Sequence, residues 1–233
     1  MKVVIFCGGK GTRLSEETKK IPKPMVKIGK LPILIHIMNS YSKHGFKNFV
    51  LALGHKKNLI KKYFKKNKFS KWNIDLVDTG EETLTGHRLL KIKTKLLDMD
   101  NFLLTYGDGL CDVNIKKLIK FHQKQKKIVT VTAVRPPAKF GELVIKGNNV
   151  IKFDEKNYIN TGRINGGFFV CNKKIFDFIP KKNCMLERDP MSKLVKKKEL
   201  AAYMHNGFWQ CMDTVRDKDL LNKMWKDGKP KWI

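Results

Sequence analysis

A chain of 233 residues, 42% of them hydrophobic, can bury a substantial core, and no apolar stretch in it reaches membrane-spanning length. Its 49 Lys and Arg against 21 Asp and Glu give a formal charge of +28, but the lysines run through the whole chain without interleaved aromatics, as in Lys61-Lys62, Lys126-Lys127 and Lys196-Lys197-Lys198. The charge therefore reads as a lysine-rich surface, and a specific nucleic-acid partner is not expected, although a basic nucleic-acid-binding protein is the rival reading from another class. Five scattered cysteines (Cys7, Cys111, Cys171, Cys184, Cys211), with no Cys-x-x-Cys pair and no zinc spacing among six histidines, speak against a disulfide scaffold or a zinc module and for free, mostly buried thiols. The opening apolar run is too short for a signal peptide and is followed by a glycine-basic loop, so a cytoplasmic protein without membrane insertion is expected.

In chain order, Val3–Cys7 predicts a buried strand. Three closely spaced glycines and a basic turn follow it: Gly8-Gly9-Lys10-Gly11-Thr12-Arg13-Leu14. A helix is predicted over Ile33–Lys43, with Pro32 in its first turn and Gly45 just past its end. Strand-like Phe49–Leu53, helix-like Lys57–Lys65 and strand-like Ile74–Val77 continue the alternation. A helix at Leu89–Leu97, a strand at Phe102–Thr105 and a helix at Ile115–Gln125 come next. The region from Val129 to Cys171 is richer in strands: Val129–Val134, Leu143–Ile145, Val150–Phe153 and Phe168–Cys171. The remainder holds helices at Lys174–Ile179, Pro190–Lys197 and Lys218–Lys226 and a further strand at Leu200–Met204. This rhythm predicts an α/β, Rossmann-like fold with a mostly parallel, mixed sheet flanked by helices. No repeat, linker or composition break divides the chain, so one domain over residues 1–233 is expected.

The chemistry concentrates after strands. Glycines behind a buried strand let backbone N–H groups approach a phosphate. Arg13, and Lys23 between Pro22 and Pro24, add positive charge where a pyrophosphate would leave. A P-loop does not fit, because no Gly-x-x-x-x-Gly-Lys-Ser/Thr run follows the strand, and a dinucleotide fingerprint does not fit, because Leu14 stands where it needs a third glycine. Asp108, in Thr105-Tyr106-Gly107-Asp108-Gly109, follows a strand and could bind Mg²⁺ or merely serve a Gly-Asp-Gly turn. Asp213 could complete that metal site or, with Thr214, cap the helix behind it. Asn165, beside Gly166 and Gly167, could hydrogen-bond sugar hydroxyls or open a turn. The polar loop from Asp78 to Arg88 lies between a strand and a helix, where loops often close over ligands, and Thr83 and Arg88 could reach a base or phosphates.

Together these motifs resemble the sugar-1-phosphate nucleotidyltransferases over nearly the whole chain. The likeness is carried by Gly8 to Thr18, Lys23-Pro24-Met25, Tyr41 to Phe46, Thr105 to Gly109 and Ile164 to Phe169. Val77-Asp78-Thr79-Gly80, Gly207-Phe208-Trp209-Gln210 and Met212-Asp213-Thr214 point to the cytidylyl branch. The resemblance implies the nucleotidyltransferase fold and the reaction of CTP with α-D-glucose 1-phosphate to give CDP-glucose and pyrophosphate, with Mg²⁺ as cofactor. The alternatives in the same class are TTP or UTP, or another sugar 1-phosphate. Phe6, Cys7, Gly8, Gly9, Lys10, Gly11, Thr12 and Arg13 would line the CTP base and phosphates, with Thr83, Arg88 and Gly107 completing that pocket. Arg13 and Lys23 would be catalytic, Asp108 and Asp213 would hold Mg²⁺, and Asn165, Gly166, Glu155 and Lys156 would face the sugar phosphate. The expected place in metabolism is nucleotide-sugar supply for surface polysaccharide. Three stretches depart from the family pattern: the segment Phe64–Trp72 is short, Glu155-Lys156-Asn157 stands for Glu-Lys-Pro, and Gly86-His87-Arg88 stands for Gly-Gly-Arg. The short segment leaves a homo-oligomer open.

Overall fold

The computed structural model describes residues 1–137, 142–154 and 162–233. In chain order the elements are β1 (Val3–Cys7), α1 (Ser15–Thr18), β2 (Lys27–Ile28), β3 (Leu31–Pro32), α2 (Ile33–Ser42), β4 (Asn48–Leu53), α3 (Lys57–Lys66) and β5 (Asn73–Asp78). There follow α4 (Thr85–Lys91), β6 (Asn101–Tyr106), β7 (Gly109–Cys111), α5 (Ile115–Gln125), β8 (Val129–Val134), β9 (Glu142–Lys146) and β10 (Asn149–Asp154). The last are β11 (Ile164–Asn172), α6 (Asp189–Lys196), β12 (Leu200–Met204), β13 (Trp209–Cys211) and α7 (Val215–Lys226).

Seven strands form one sheet in the order β12-β8-β11-β6-β1-β4-β5. Strands β4 and β6 flank β1 in parallel, β5 continues parallel to β4, and β12 is parallel to β8. Strand β11 runs antiparallel to both β6 and β8. The mostly parallel, mixed sheet expected from the sequence is thus the observed one, and its antiparallel strand lies in the strand-rich stretch. The chain builds outward from β1 on one side and then returns to β1's other side with β6. That reversal opens a crevice at the carboxyl ends of β1 and β6, where open α/β sheets bind ligands.

Every residue of β1 is buried, because it sits in the middle of the sheet with a layer on each face. Alternation divides the strand between those layers: Val3, Ile5 and Cys7 join the core containing Leu34, Tyr41 and Trp232, whereas Val4 and Phe6 join the core containing Leu89, Phe176 and Leu194. Gly45, with φ +93°, lies just beyond α2 as expected, and its backbone is one that a side chain would strain.

Two expected helices differ. The segment predicted as Leu89–Leu97 is α4, starting four residues earlier, followed by a 3₁₀ turn at Lys93–Lys95. The early start has a tertiary cause: the first N–H groups of α4, on Gly86 and His87, donate to the Cys184 carbonyl at 3.0 and 3.3 Å. The expected helix at Lys174–Ile179 is a 3₁₀ turn over Lys173–Phe178, capped by Asn172. The β2–β3 hairpin and the two-stranded β7–β13 ribbon were not predicted; two- and three-residue strands carry no readable period. Among the described residues no helix is long and apolar enough to cross a membrane.

Candidate active site

A cavity of about 720 Å³ occupies the crevice at the ends of β1 and β6. One wall is Phe6 with the loop from Gly8 to Arg13, and a second is the β5–α4 loop from Glu81 to Thr85 with Arg88. The floor carries Lys23, Pro24, Gly107, Asp108, Cys211 and Asp213, and the far end carries Asn165, Gly166, Gly167, Tyr106, Glu187 and Trp209. Of the expected site residues in described positions, Cys7 alone is off the cavity. It points into the core on the other face of β1 from Phe6 and is completely buried, so its thiol is withheld from any ligand. Glu155 and Lys156 lie outside the described residues.

Lys23 stands in a 3₁₀ turn (Lys23–Met25) that begins at extended Pro22 and contains Pro24. The two prolines hold the backbone there, as their fixed φ predicts. The side chain is nearly buried, and its ammonium lies 2.5 Å from Asp108 Oδ2 and 2.6 Å from Asp213 Oδ1. Asp213 Oδ2 also meets Arg13 Nη1 at 2.8 Å. Two carboxylates and two cations, drawn from both ends and the middle of the chain, thus balance one another within one cluster. Burial alone would lower the Lys23 pKa, but Asp108, the neighbouring Cys211 and the hydrogen bonds to both carboxylates outweigh it and hold the pKa above its usual value. Burial would likewise raise that of Asp213; the bond and charge of Lys23, with Cys211 and Arg13, bring it below the ordinary carboxylate range.

The local sequence decides which residue caps α7. Thr214 is the N-cap: its hydroxyl accepts from Asp217 N at 3.2 Å, and Asp217 Oδ2 accepts from Thr214 N at 2.8 Å. This capping box satisfies the helix end and leaves the Asp213 carboxylate to face the cavity. Asp108 likewise does more than make a turn, since its carboxylate meets Lys23 on the cavity floor.

Arg88 is built into the cavity wall. It lines the cavity, yet it is 3% exposed and its guanidinium is engaged by neutral oxygens. Nη1 donates to the carbonyls of Leu53 (2.7 Å) and Gly80 (3.2 Å) and to the Thr79 hydroxyl, and Nη2 donates to Thr83 O (2.6 Å) and Gly8 O (3.4 Å). The guanidinium therefore ties the loops behind β1, β4 and β5 together, with no carboxylate at hand. Burial lowers its pKa, offset in part by Cys7 and Asp78. A Cβ on Gly8 would lie 2.1 Å from Arg88 Nη1, so this glycine makes room for the guanidinium. Gly11 has another reason: φ is +66° and a Cβ would lie 2.9 Å from Thr18 Cγ2. Gly9 alone of the three presents open backbone, with nothing within 4 Å of a Cβ position. Thr83 is also tied down, its hydroxyl donating to Thr79 O at 2.6 Å. Lys10 pairs across the cavity mouth with Glu82 at 2.7 Å.

The far end holds a polar chain. Asn165 Nδ2 donates to Tyr106 OH at 3.2 Å, and the phenol donates to Glu187 Oε1 at 2.6 Å. Thr85 donates to Glu187 Oε2 at 2.5 Å, and Trp209 Nε1 donates to Gly166 O at 2.7 Å. Burial and the adjacent Glu187 push the Tyr106 pKa well up, so it stays a neutral donor. Tyr106, Glu187, Trp209 and Cys211 were not singled out from sequence. Glu187 has no signal there, being one acid in a charged turn before α6; Tyr106 and Trp209 stand in motifs that carried the resemblance, without a role attached, and Cys211 falls between two of those motifs.

The nucleotidyl transferase family profile matches residues 2–229. The glucose-1-phosphate cytidylyltransferases of Salmonella typhimurium and Salmonella typhi are each 44% identical to this chain over 253 aligned positions, covering 100% of it and 98% of the relative. Among solved structures, HddC from Yersinia pseudotuberculosis complexed with GMP-PN superposes with a TM-score of 0.76 at 24% identity, covering 96% of this chain and 99% of that one, which is a likeness of fold.

Proposed function

The chain belongs to the nucleotidyl transferase family, and from that premise we propose that the cavity joins CTP to a sugar 1-phosphate with the residues described above. The reaction is transfer of the cytidylyl group of CTP to α-D-glucose 1-phosphate, releasing pyrophosphate and CDP-glucose. The observation that carries the catalytic reading is the Lys23–Asp108–Asp213–Arg13 cluster beside the glycine loop at the sheet's switch point.

The nucleophile is a phosphate oxygen of the sugar phosphate, already an anion, so no general base is required. It attacks the α-phosphorus of CTP, the bond to the β-phosphate bridging oxygen breaks, and the electron pair leaves with pyrophosphate. Positioning and charge neutralisation are then the whole of catalysis. Lys23 and Arg13 are the mobile positive charges: their ion pairs on the cavity floor exchange for phosphate oxygens as the triphosphate enters. The exposed backbone of Gly9 and the N–H groups of the following loop cradle phosphates, and Phe6 and the β5–α4 loop bound the base. Asn165, Tyr106 and Glu187 offer donors and an acceptor at hydrogen-bonding distance of one another, a suitable wall for sugar hydroxyls.

Asp108 and Asp213 fit a divalent cation, because the structure already holds one cation, the Lys23 ammonium, between their oxygens. Mg²⁺ bound there would neutralise charge on the phosphates and the departing pyrophosphate.

The test is pyrophosphate release in a matrix of CTP, UTP, TTP, ATP and GTP, each with and without glucose 1-phosphate, at several Mg²⁺ concentrations. Release with CTP plus glucose 1-phosphate that rises with Mg²⁺ is the expected result. Release that ignores Mg²⁺ would remove the metal from this account, and no release with CTP would remove the base assignment.

A further inference from the structure

The cavity floor holds one group that the reaction does not use. Cys211 closes β13, directly opposite Gly109 of β7, and its side chain lines the cavity. Its sulfur and one oxygen each of Asp108 and Asp213 all lie within 4.8 Å of one another. The three are held by one short ribbon: Asp108 precedes β7, Asp213 follows two residues after Cys211, and Met212 N donates to Asp108 O at 2.9 Å. The other four cysteines are buried, two of them (Cys7 and Cys171) within the central sheet.

We propose that Cys211 is a third protein donor to the divalent cation held by Asp108 and Asp213, so that the site takes thiophilic divalent ions such as Co²⁺, Zn²⁺ or Cd²⁺ in preference to Mg²⁺. The inference rests on the reading that those two carboxylates are the cation site. Mg²⁺ is a hard ion that prefers oxygen ligands and gains little from sulfur, whereas Co²⁺, Zn²⁺ and Cd²⁺ bind thiolate well. On binding, the thiol proton passes to water and the sulfur takes its place on the metal as thiolate. Lys23 holds this position when no phosphate is present, so the thiol becomes a ligand when the ammonium has moved to the nucleotide.

A second mixed cluster supplies the control. Cys111, Asp112 and His205 also bring one ligand atom each within 4.8 Å, at the opposite end of the same ribbon. There His205 Nε2 lies 2.7 Å from Asp112 Oδ1, a contact that ties the turn after β7 to the loop before β13.

The experiment is Co²⁺ titration of the full, metal-free chain in the presence of CTP and without sugar phosphate, read by absorption. A thiolate-to-cobalt charge-transfer band saturating at one ion per chain is expected, lost in Cys211→Ser and in Cys211→Ala and kept in Cys111→Ser. In turnover with Mg²⁺, inhibition by Cd²⁺ is expected to weaken by about tenfold or more in Cys211→Ser. A band that survives Cys211→Ser and disappears in Cys111→Ser would place the thiolate at the other cluster and overturn the proposal. Absence of any band while turnover still depends on Mg²⁺ would overturn it and leave the cation reading intact. Absence of the band together with turnover indifferent to every divalent ion would sink the cation reading and the proposal with it.

Discussion

The cavity is held by two nearly buried cations that do opposite things. Lys23 sits on the floor between two carboxylates, with Arg13 completing the cluster. Arg88 sits in the wall among backbone carbonyls and one hydroxyl, with no anion beside it. A lysine among carboxylates is in an exchangeable state: another cation can replace it on the carboxylates, and a phosphate can replace the carboxylates on it. An arginine whose fork is matched to fixed carbonyls has nothing to gain from leaving, and leaving would strand those carbonyls without partners. The same charge is therefore exchangeable in one place and a brace in the other, and the partners decide which.

Breaking the floor should cost the most, and in activity. Lys23→Ala is expected to lower turnover by about 10²–10³-fold, the range for removing one preorganised charge at a reacting phosphate, while the thermal midpoint moves little. Unchanged pyrophosphate release from that variant would erase the distinction between the two cations. Breaking the wall should act on folding first. Arg88→Lys keeps the charge but not the fork, and leaving one or two buried carbonyls unpaired should cost about 2–4 kcal/mol in urea unfolding. Gly8→Ala tests the same brace from the other side: the methyl would meet Nη1 at 2.1 Å, and overpacking of this kind costs about 1–3 kcal/mol. If Arg88→Lys unfolds at the same urea concentration as the parent and loses only CTP affinity, the brace is a ligand after all.

A smaller effect sharpens the floor. Thr214→Ala removes the hydroxyl half of the α7 capping box and should cost about 1 kcal/mol. Because Asp213 N also donates to Asp217 Oδ2 at 3.0 Å, Mg²⁺ dependence should weaken along with stability. The smallest expected effect lies away from both cations. His36 is buried, its Nδ1 accepting from Trp232 Nε1 at 3.2 Å and its Nε2 bonded to Ile28 O at 3.0 Å, so it is held neutral with the proton on Nε2. Burial lowers its pKa, opposed in part by the bond to Ile28. A histidine depressed in the folded state contributes stability that is complete above its unfolded pKa of about 6.5 and is lost as pH falls from there toward the folded value. The melting temperature should therefore decline below about pH 6.5, and His36→Gln should flatten that decline. A decline of equal slope in the variant would assign it to other groups.

Much of the site was legible along the chain because its parts are local. A β-branched run ending in glycines marks β1 and its loop, prolines mark Lys23, and an apolar strand before Gly107-Asp108 marks the floor. Each signal is confined to a dozen residues, and the periods of strand and helix carry it. The capping question at Asp213 was open because Asp213 and Thr214 are both good caps; the register of α7 resolves it through Asp217.

What tertiary structure alone decided is who stands next to whom. Sequence determined the fold class, the alternation around β1, the glycine-rich and prolyl turns and the set of acids and bases available. It could not say that Arg88 is matched to carbonyls from three separate loops, that Gly8 is a glycine for Arg88's sake, or that α4 begins where the Cys184 carbonyl meets it. Nor could it bring Glu187 to Tyr106 or set Cys211 beside two carboxylates. Local preference acts over a few residues through backbone sterics and hydrogen bonds, whereas the cavity also depends on contacts between residues as distant as Lys23 and Asp213, 190 positions apart, which exist only once the sheet order has been chosen.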